Sequence, residues 1–392
     1  MAEGPRRLHI AIVVPGFVLE RDDPGMPAVV DLVERLAAVH DCDIVALRHP
    51  PARPAYRLAG ARVRALGLGS AGGPVGRARV LARGVRAVVA IDRRRRIDVV
   101  HGLWADEPGA IATIAGRLLR RPVVVSLMGG ELVRLPDIGY GAGLGRGGRW
   151  TTGIALRGAD LVTAGAEAGL RSVLERRPAA RAVVAPLGVD LATFRPAGED
   201  GDPAEPDRPP TLLFAGSLEP VKDPALAVRV FAALAGDRPS LQFDIVGEGR
   251  LRGDTERLAR DLGVAGRIRF LGQVPRAEMA ARFWAATLLL VTSRHEGQSM
   301  VAVEAAASGI PVVGTRVGVL PDLEGGAATV AIGDQAGLVR AVAEVLDDPA
   351  RAAEMGVAGR AAAVARYDLD LTAADLTDLY EGLVSRRGPL AE

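Results

Sequence analysis

The chain has 392 residues, a formal net charge of +2, 49% hydrophobic residues and only 4% aromatic ones, so its cores are built from Val, Leu, Ala and Ile. That length suits two domains of ordinary size, and the near-neutral balance gives no argument for a nucleic-acid partner. The single cysteine, Cys42, excludes an intramolecular disulfide and fits a reducing cytoplasm, and no window reaches the ~18 apolar residues of a membrane helix.

Leu8 to Val14 is an apolar run preceded by Arg6-Arg7. Pro15-Gly16 ends it early and no small-residue cleavage site follows, so a first β-strand is expected rather than a signal peptide. A loop containing Gly16 and Gly25 leads to a helix over Pro27–Val39, started by its proline. Cys42 to Leu47 reads as the next strand, Pro50 to Pro54 as a loop, Val63 to Leu68 as a short strand and Gly69 to Pro74 as a break. The Arg-decorated segment Val75 to Arg96 has the pattern of an outer amphipathic helix; contact with an anionic membrane surface is the less favoured reading. Ile97 to Leu103 is a strand carrying His101, followed by a helix near Pro108 to Arg120. Pro122 to Leu127 is another strand, ending in Met128-Gly129-Gly130-Glu131. His101 either faces a ligand at these strand tips or is a hydrogen-bonded histidine with no ligand.

Pro136 to Arg149 is glycine-rich and is expected to be a mobile loop. A helix over Trp150 to Arg157, a strand at Leu161 to Thr163 and a helix over Glu167 to Arg177 follow. Val183-Val184 then leads to Pro186-Leu187-Gly188-Val189-Asp190. Pro196 to Pro210 is charged and rich in Pro and Gly, as a linker is. Beyond it, Thr211 to Ala215 is a strand, Gly216 to Asp223 a tight turn, and Asp223-Pro224 the start of a helix. The turn holds Lys222, the only lysine of the chain, a point charge that a planar guanidinium does not replace. Leu241 to Val246 and Ile268 to Leu271 are further strands; Gly247-Glu248-Gly249 follows the first and Gly272-Gln273-Val274-Pro275 the second. Ala328 to Ile332 is a last strand, Gln335 to Leu346 an amphipathic helix, and Tyr367 to Arg387 a closing helical segment.

The informative stretch lies between. Thr287 to Thr292 is apolar without alternation, as a central parallel strand is. After Arg294-His295-Glu296-Gly297-Gln298, Ser299 is an N-cap candidate for an Ala-rich helix that Gly309 stops. Glu304, inside the helix, leans back toward the mouth where Glu296 sits. The free N–H groups and the positive end of the helix dipole between them suit an anion such as a diphosphate. Strand, loop and helix with two glutamates also occurs in many α/β proteins, with either glutamate merely solvated or paired with the dipole.

Glu296, seven intervening residues and Glu304, followed by Ser308-Gly309-Ile310-Pro311-Val312-Val313, resemble the E-x7-E signature of retaining glycosyltransferases of the GT-B fold, family 4. The run Leu187-Gly188-Val189-Asp190 with Phe194 and Pro196 is similar to that family's interdomain segment, with Leu187 in place of Asn. The resemblance implies two doubly wound, Rossmann-like α/β domains facing each other across a cleft. Residues 1–195 would be the acceptor-side domain, 196–210 the linker, 211–366 the donor domain and 367–392 a helix crossing back. It implies transfer of a sugar from a UDP- or GDP-linked donor to an unidentified acceptor with retention of configuration, with no cofactor and no metal. Lys222, with the N–H groups of Gln298, Ser299, Met300 and Val301, would hold the diphosphate; Glu296 and Gly297 would meet the sugar and Glu304 the ribose. Gly272 and Val274 would meet the nucleobase, Gly25 the phosphate side, and Gly129, Gly130 and Glu131 the acceptor. Two positions depart from the family. Met128 stands where a histidine near the donor sugar is common, leaving His101 as the candidate to occupy that space. Ser217 stands where an arginine usually helps to neutralise the diphosphate, leaving Arg294 as a candidate to compensate. A non-catalytic nucleotide-sugar-binding subunit and an epimerase or hydrolase of the same architecture remain open alternatives.

Overall fold

The structure is a computed structural model and describes residues 7–21, 23, 25–48, 54–69, 72–198 and 208–386. It divides into two compact units, Met1–Gly188 with Leu369–Glu392, and Val189–Asp368.

The first unit is built on a sheet of β1 (His9–Val14), β2 (Asp41–Ala46), β3 (Ala55–Leu58), β4 (Ala61–Ala65), β5 (Val99–Leu103), β6 (Val123–Leu127), β7 (Leu161–Ala164) and β8 (Ala182–Val184). Their order is β3-β4-β2-β1-β5-β6-β7-β8, parallel except for the β3–β4 hairpin. Every residue of β1 and β5 is buried, as expected of strands covered on both faces. One face packs Ile10, Ile12 and Val14 against the helices Pro27–Val39 and Leu369–Arg386, through Val29, Val33, Leu376, Tyr380 and Leu383. The other packs Ala11, Val13 and Val100 against the helices Gly73–Arg94 and Glu107–Leu119, through Val88, Ile91 and Ile111. The hairpin is a correction to the single strand expected at Val63 to Leu68. Ala59 and Gly60, both at positive φ, close a turn with an edge strand too short and too exposed to show an apolar pattern.

Pro136–Arg149, expected to be a mobile loop, contains short 3-10 turns at Pro136–Ile138 and Ala142–Leu144, with reciprocal backbone bonds between Leu135 and Tyr140. The following helix, Arg146–Gly158, begins four residues before the expected Trp150.

The second unit has an all-parallel sheet of β9 (Thr211–Ala215), β10 (Gln242–Val246), β11 (Ile268–Gly272), β12 (Leu288–Val291), β13 (Val312–Thr315) and β14 (Ala327–Val330), in the order β11-β10-β9-β12-β13-β14. This is the doubly wound order in which the chain leaves β9 toward one edge and returns at β12 to build the other. Ligands of such sheets bind at that reversal, beyond the carboxyl ends of the strands. The two loops at the reversal are those following β9 and β12.

The unit boundary falls at Gly188/Val189 rather than at 195/196, because the N–H of Val189 donates to the Tyr367 carbonyl (2.7 Å) and Phe194 is fully buried against Phe283 in the second unit. Of the linker expected over 196–210, residues 199–207 lie outside the described residues, as do residues 50–53 of the loop expected at Pro50 to Pro54, Arg6, residues 70–71 of the break at Gly69 to Pro74, and the end of the closing segment from 387.

Candidate active site at the sheet reversal

Lys222 and Glu296 meet. The loop after β9 ends at Asp223, which sits at φ +48 and caps the helix Pro224–Ala235 by accepting from the Leu226 N–H (3.1 Å). The loop after β12 is stitched to it. Thr292 Oγ1 donates to the carbonyls of Lys222 and Asp223 (both 2.9 Å), and the Arg294 N–H donates to the Val221 carbonyl (2.7 Å). With both backbones fixed, Lys222 Nζ donates to Glu296 Oε1 and Oε2 at 2.6 and 2.8 Å, and Ser293 Oγ donates to Oε1 at 2.6 Å. The Glu296 side chain is 9% exposed and that of Lys222 23%, so the pair sits in a recess with one partly open ammonium edge.

Beyond Glu296 the chain passes half-buried Gly297 and buried Gln298, whose carbonyl accepts from the Val319 N–H (2.8 Å), and enters the helix Met300–Ala307 at Ser299. Ser299 occupies the cap position but does not cap. Its φ is +79, its side chain makes no cap bond, and Oγ is buried with no hydrogen-bond partner among the described residues. Ser299 therefore leaves the first-turn N–H groups uncapped by its side chain, the condition in which a helix start takes an anion. Met300 and Val301 are half-buried at this start, and Gly309, at φ +74, follows the helix end as expected. Glu304, on the same helix, pairs with Arg276 at 3.7 Å.

Arg276 escaped the sequence reading. It opens the helix Arg276–Trp284 directly after Gly272 to Val274, and its guanidinium also lies over the Phe194 ring, 5.3 Å from the centroid. A basic residue at the first turn of a helix beyond a strand tip, opposite a helical glutamate in the neighbouring loop, was the available signal. The hydroxyls of Thr292 and Ser293 were missed for a different reason, since they act through backbone and carboxylate partners that only the fold brings near.

The turns after β9 and β10 interlock. Gly216 N–H donates to the Val246 carbonyl (3.0 Å) and Gly247 N–H to the Gly272 carbonyl (2.7 Å). Gly247 sits at φ +125, and a Cβ there would lie 2.0 Å from the Gly216 carbonyl oxygen, so only glycine fits. Ser217 is exposed in this turn and half-buried Val274 follows Gly272; Arg294 is half-buried beside Ser293.

The remaining candidates belong to the first unit, and here the expectations change. His101 is 1% exposed, with Nδ1 2.7 Å from Tyr380 Oη and Nε2 2.7 Å from Ser126 Oγ. Both ring nitrogens are used internally, and burial pushes its pKa down to about 3, so it is a neutral structural histidine and not a catalytic one. Glu131, expected to face an acceptor, is 4% exposed and accepts from the N–H groups of Ala105 (3.1 Å), Met128 (2.8 Å) and Gly129 (2.6 Å). It folds its own loop. Gly130 packs under the Tyr140 ring, and Met128 packs against the core instead of presenting a polar group. Gly25 lies in the exposed loop after β1, its N–H donating to Asp23 Oδ1 (2.8 Å). No group of three or more His, Cys, Asp or Glu placed to hold a metal occurs among the described residues, and none of their helices is long and apolar enough to cross a membrane.

Comparisons with known proteins agree with this architecture. Over 217 residues the chain is 35% identical to a D-inositol 3-phosphate glycosyltransferase of Streptomyces avermitilis, covering 51% of this chain and 46% of the relative. It is 32% identical over 248 residues to the enzyme of that name from Thermobispora bispora, covering 58% and 57%. The chain thus spans about half the length of the curated relatives it matches. Among solved structures, sucrose-phosphate synthase from Thermosynechococcus elongatus superposes with a TM-score of 0.78 at 22% identity, over 97% of this chain and 100% of that one. Anabaena HepE in complex with UDP and glucose gives 0.74 at 17% identity, over 96% and 100%. The family model for glycosyl transferase 4-like domains matches residues 26–188 and that for glycosyl transferases group 1 matches residues 199–362; the chain belongs to the GT-B glycosyltransferases of the family 4 type.

Proposed function

We propose that the chain transfers a sugar from a nucleoside-diphosphate donor to an acceptor hydroxyl with retention of anomeric configuration. The observation that carries this reading is the Lys222–Glu296 pair held at the sheet reversal beside an uncapped helix start. The diphosphate would lie between the Lys222 ammonium and the N–H groups from Gln298 to Val301. Charge developing on the departing phosphate would meet donors already fixed in place, usually a large contribution to catalysis. Glu296 would orient the sugar, and Glu304, steadied by Arg276, would accept from the ribose hydroxyls. Attack from the same face, with the leaving phosphate helping to take the acceptor proton, requires no enzyme nucleophile. Leaving-group charge is thereby assigned to protein groups rather than to a metal. Arg276 is a second cation in this unit, paired with Glu304. Because HepE holds UDP and glucose, a UDP-linked hexose is the first donor to try. The names of the curated relatives make an inositol phosphate the first acceptor to try. The buried, unpaired Cys42 suits a reducing compartment, so the reading places the reaction in the cytoplasm.

A thermal-shift screen of UDP- and GDP-sugars on the wild type, Lys222→Ala and Glu304→Ala tests the reading. A donor that stabilises the wild type and loses that effect in both variants supports it. If no nucleotide sugar stabilises the wild type, the reading is wrong. Sugar release from donor without any acceptor would favour hydrolysis over transfer.

A further inference from the structure

Under the loop that follows β6, a cavity of about 570 Å3 opens between the helix Arg146–Gly158 and the end of the helix Glu167–Arg176, wholly within the first unit. Its wall carries five guanidinium groups, those of Arg134, Arg149, Arg157, Arg176 and Arg177, and one carboxylate, Glu131. That carboxylate is committed to the N–H groups of Ala105, Met128 and Gly129. Three of the arginines are held by backbone carbonyls: Arg149 donates to Gly143 (3.0 Å), Arg176 to Leu132 (2.8 Å) and Arg177 to Leu156 (2.9 Å). A carbonyl positions a guanidinium without neutralising it. Among the described residues none of the five forms an ion pair, whereas Arg62, Arg121 and Arg269 pair with Asp43, Asp92 and Asp244.

A concavity lined by one sign of charge concentrates counter-charge, and guanidinium forks match phosphate oxygens. The same cavity has an apolar part, Leu132 and Leu156. Thr152, at its wall, is 5% exposed with Oγ1 lacking a hydrogen-bond partner among the described residues. We infer that this cavity is a second ligand site, which takes a phosphate monoester with a compact body about the size of a hexose, as its volume allows. The residues assigned to the donor, from Lys222 to Glu304, belong to the second unit, so this site does not rest on the transfer reading. Glu131 links the cavity to the Met128–Gly129 backbone, so occupancy bears directly on the loop after β6.

Calorimetric titration of the full chain with glucose 6-phosphate, glycerol 3-phosphate and inorganic phosphate, at fixed ionic strength and with glucose as the uncharged control, tests the inference. Arg134→Ala/Arg157→Ala removes two guanidiniums that anchor no carbonyl among the described residues, and an unchanged melting temperature verifies that the fold is intact; Arg134→Gln/Arg157→Gln serves if it is not. Saturable binding of a phosphate ester to the wild type is expected, weakened about tenfold or more in the double variant and unchanged in Lys222→Ala. No binding to the wild type, equal binding in the arginine variants, or binding lost with Lys222 instead would overturn it. The ester could be an acceptor or a separate effector. With UDP-glucose present, a glycosylated ester identifies the former and an unaltered ester the latter, and arginine-dependent binding upholds the site in both cases.

Discussion

Replacing Glu296 with glutamine should tighten the binding of a free nucleoside diphosphate while slowing transfer. The Lys222 ammonium gives two N–H groups to Glu296, at 2.6 and 2.8 Å. A diphosphate must use the remaining donor or displace one of these. Glutamine keeps the shape of the side chain but exchanges a full negative charge for a dipole. The ammonium keeps a charge-assisted bond to the amide oxygen but loses the second acceptor and the ion-pair attraction, which lifts on the order of 1–2 kcal/mol of competition. Lys222 is 23% exposed and partly screened by water, which favours the lower figure, and 1 kcal/mol corresponds to about fivefold tighter binding. Titration calorimetry with UDP and GDP on the wild type and Glu296→Gln measures this, and initial rates with the donor sugar measure the accompanying loss of turnover. Equal or weaker diphosphate binding by the variant would refute the idea that the two ligands compete for one ammonium.

Three further outcomes are expected. Glu304→Ala should abolish discrimination between UDP and 2′-deoxy-UDP, worth about tenfold or more in the wild type if the carboxylate accepts from the ribose; retained discrimination assigns the ribose to another group. Gly247→Ala should destabilise the second unit by about 2–3 kcal/mol, because a methyl at φ +125 would press on the Gly216 carbonyl, and urea unfolding would reveal an unchanged midpoint if it does not. His101 has its pKa lowered to about 3 by burial, so between that value and the ordinary 6.5 the unfolded chain binds a proton that the folded one refuses. Stability is fully present above about pH 6.5 and falls on acidification, by about 2 kcal/mol from pH 7 to pH 5 for this residue. His101→Gln should flatten the pH dependence of unfolding by that amount, with His40, lowered in the same direction by burial, keeping its share; an unchanged slope contradicts the assignment.

The framework was legible where local chemistry and tertiary burial agree. The uninterrupted apolar run at Leu288–Val291, Pro27 at a helix start, Asp223-Pro224 at another and Gly309 at a helix end each state their structure in one or two residues. That the Lys222 and Glu296 loops lie at one edge of the sheet was legible as well, because both follow strands in an α/β alternation; their direct ion pair was not. What failed was side-chain direction. Position in sequence places His101 near a strand end but does not say which face it takes; its partner Tyr380 lies 279 residues away. Glu131 reads as an exposed acid until the N–H groups of Ala105 and its own turn are seen to surround it. The turns of the glycine-rich stretch before Trp150 were not legible, because they are closed by backbone bonds, which composition does not encode.

The helix Leu369–Arg386 is counted with the first unit although the whole second unit separates it in sequence from the strands it covers. Leu369, Ala373, Leu376, Tyr380 and Leu383 are therefore the last contributors to a core whose other members are synthesised early. A nascent chain can finish the contiguous Val189–Asp368 unit while one face of the earlier sheet still waits for the second of its two covering helices. Premature termination near the end of the message would then strike the start of the protein, leaving His101 with no hydroxyl at Nδ1 and an apolar sheet open to aggregation.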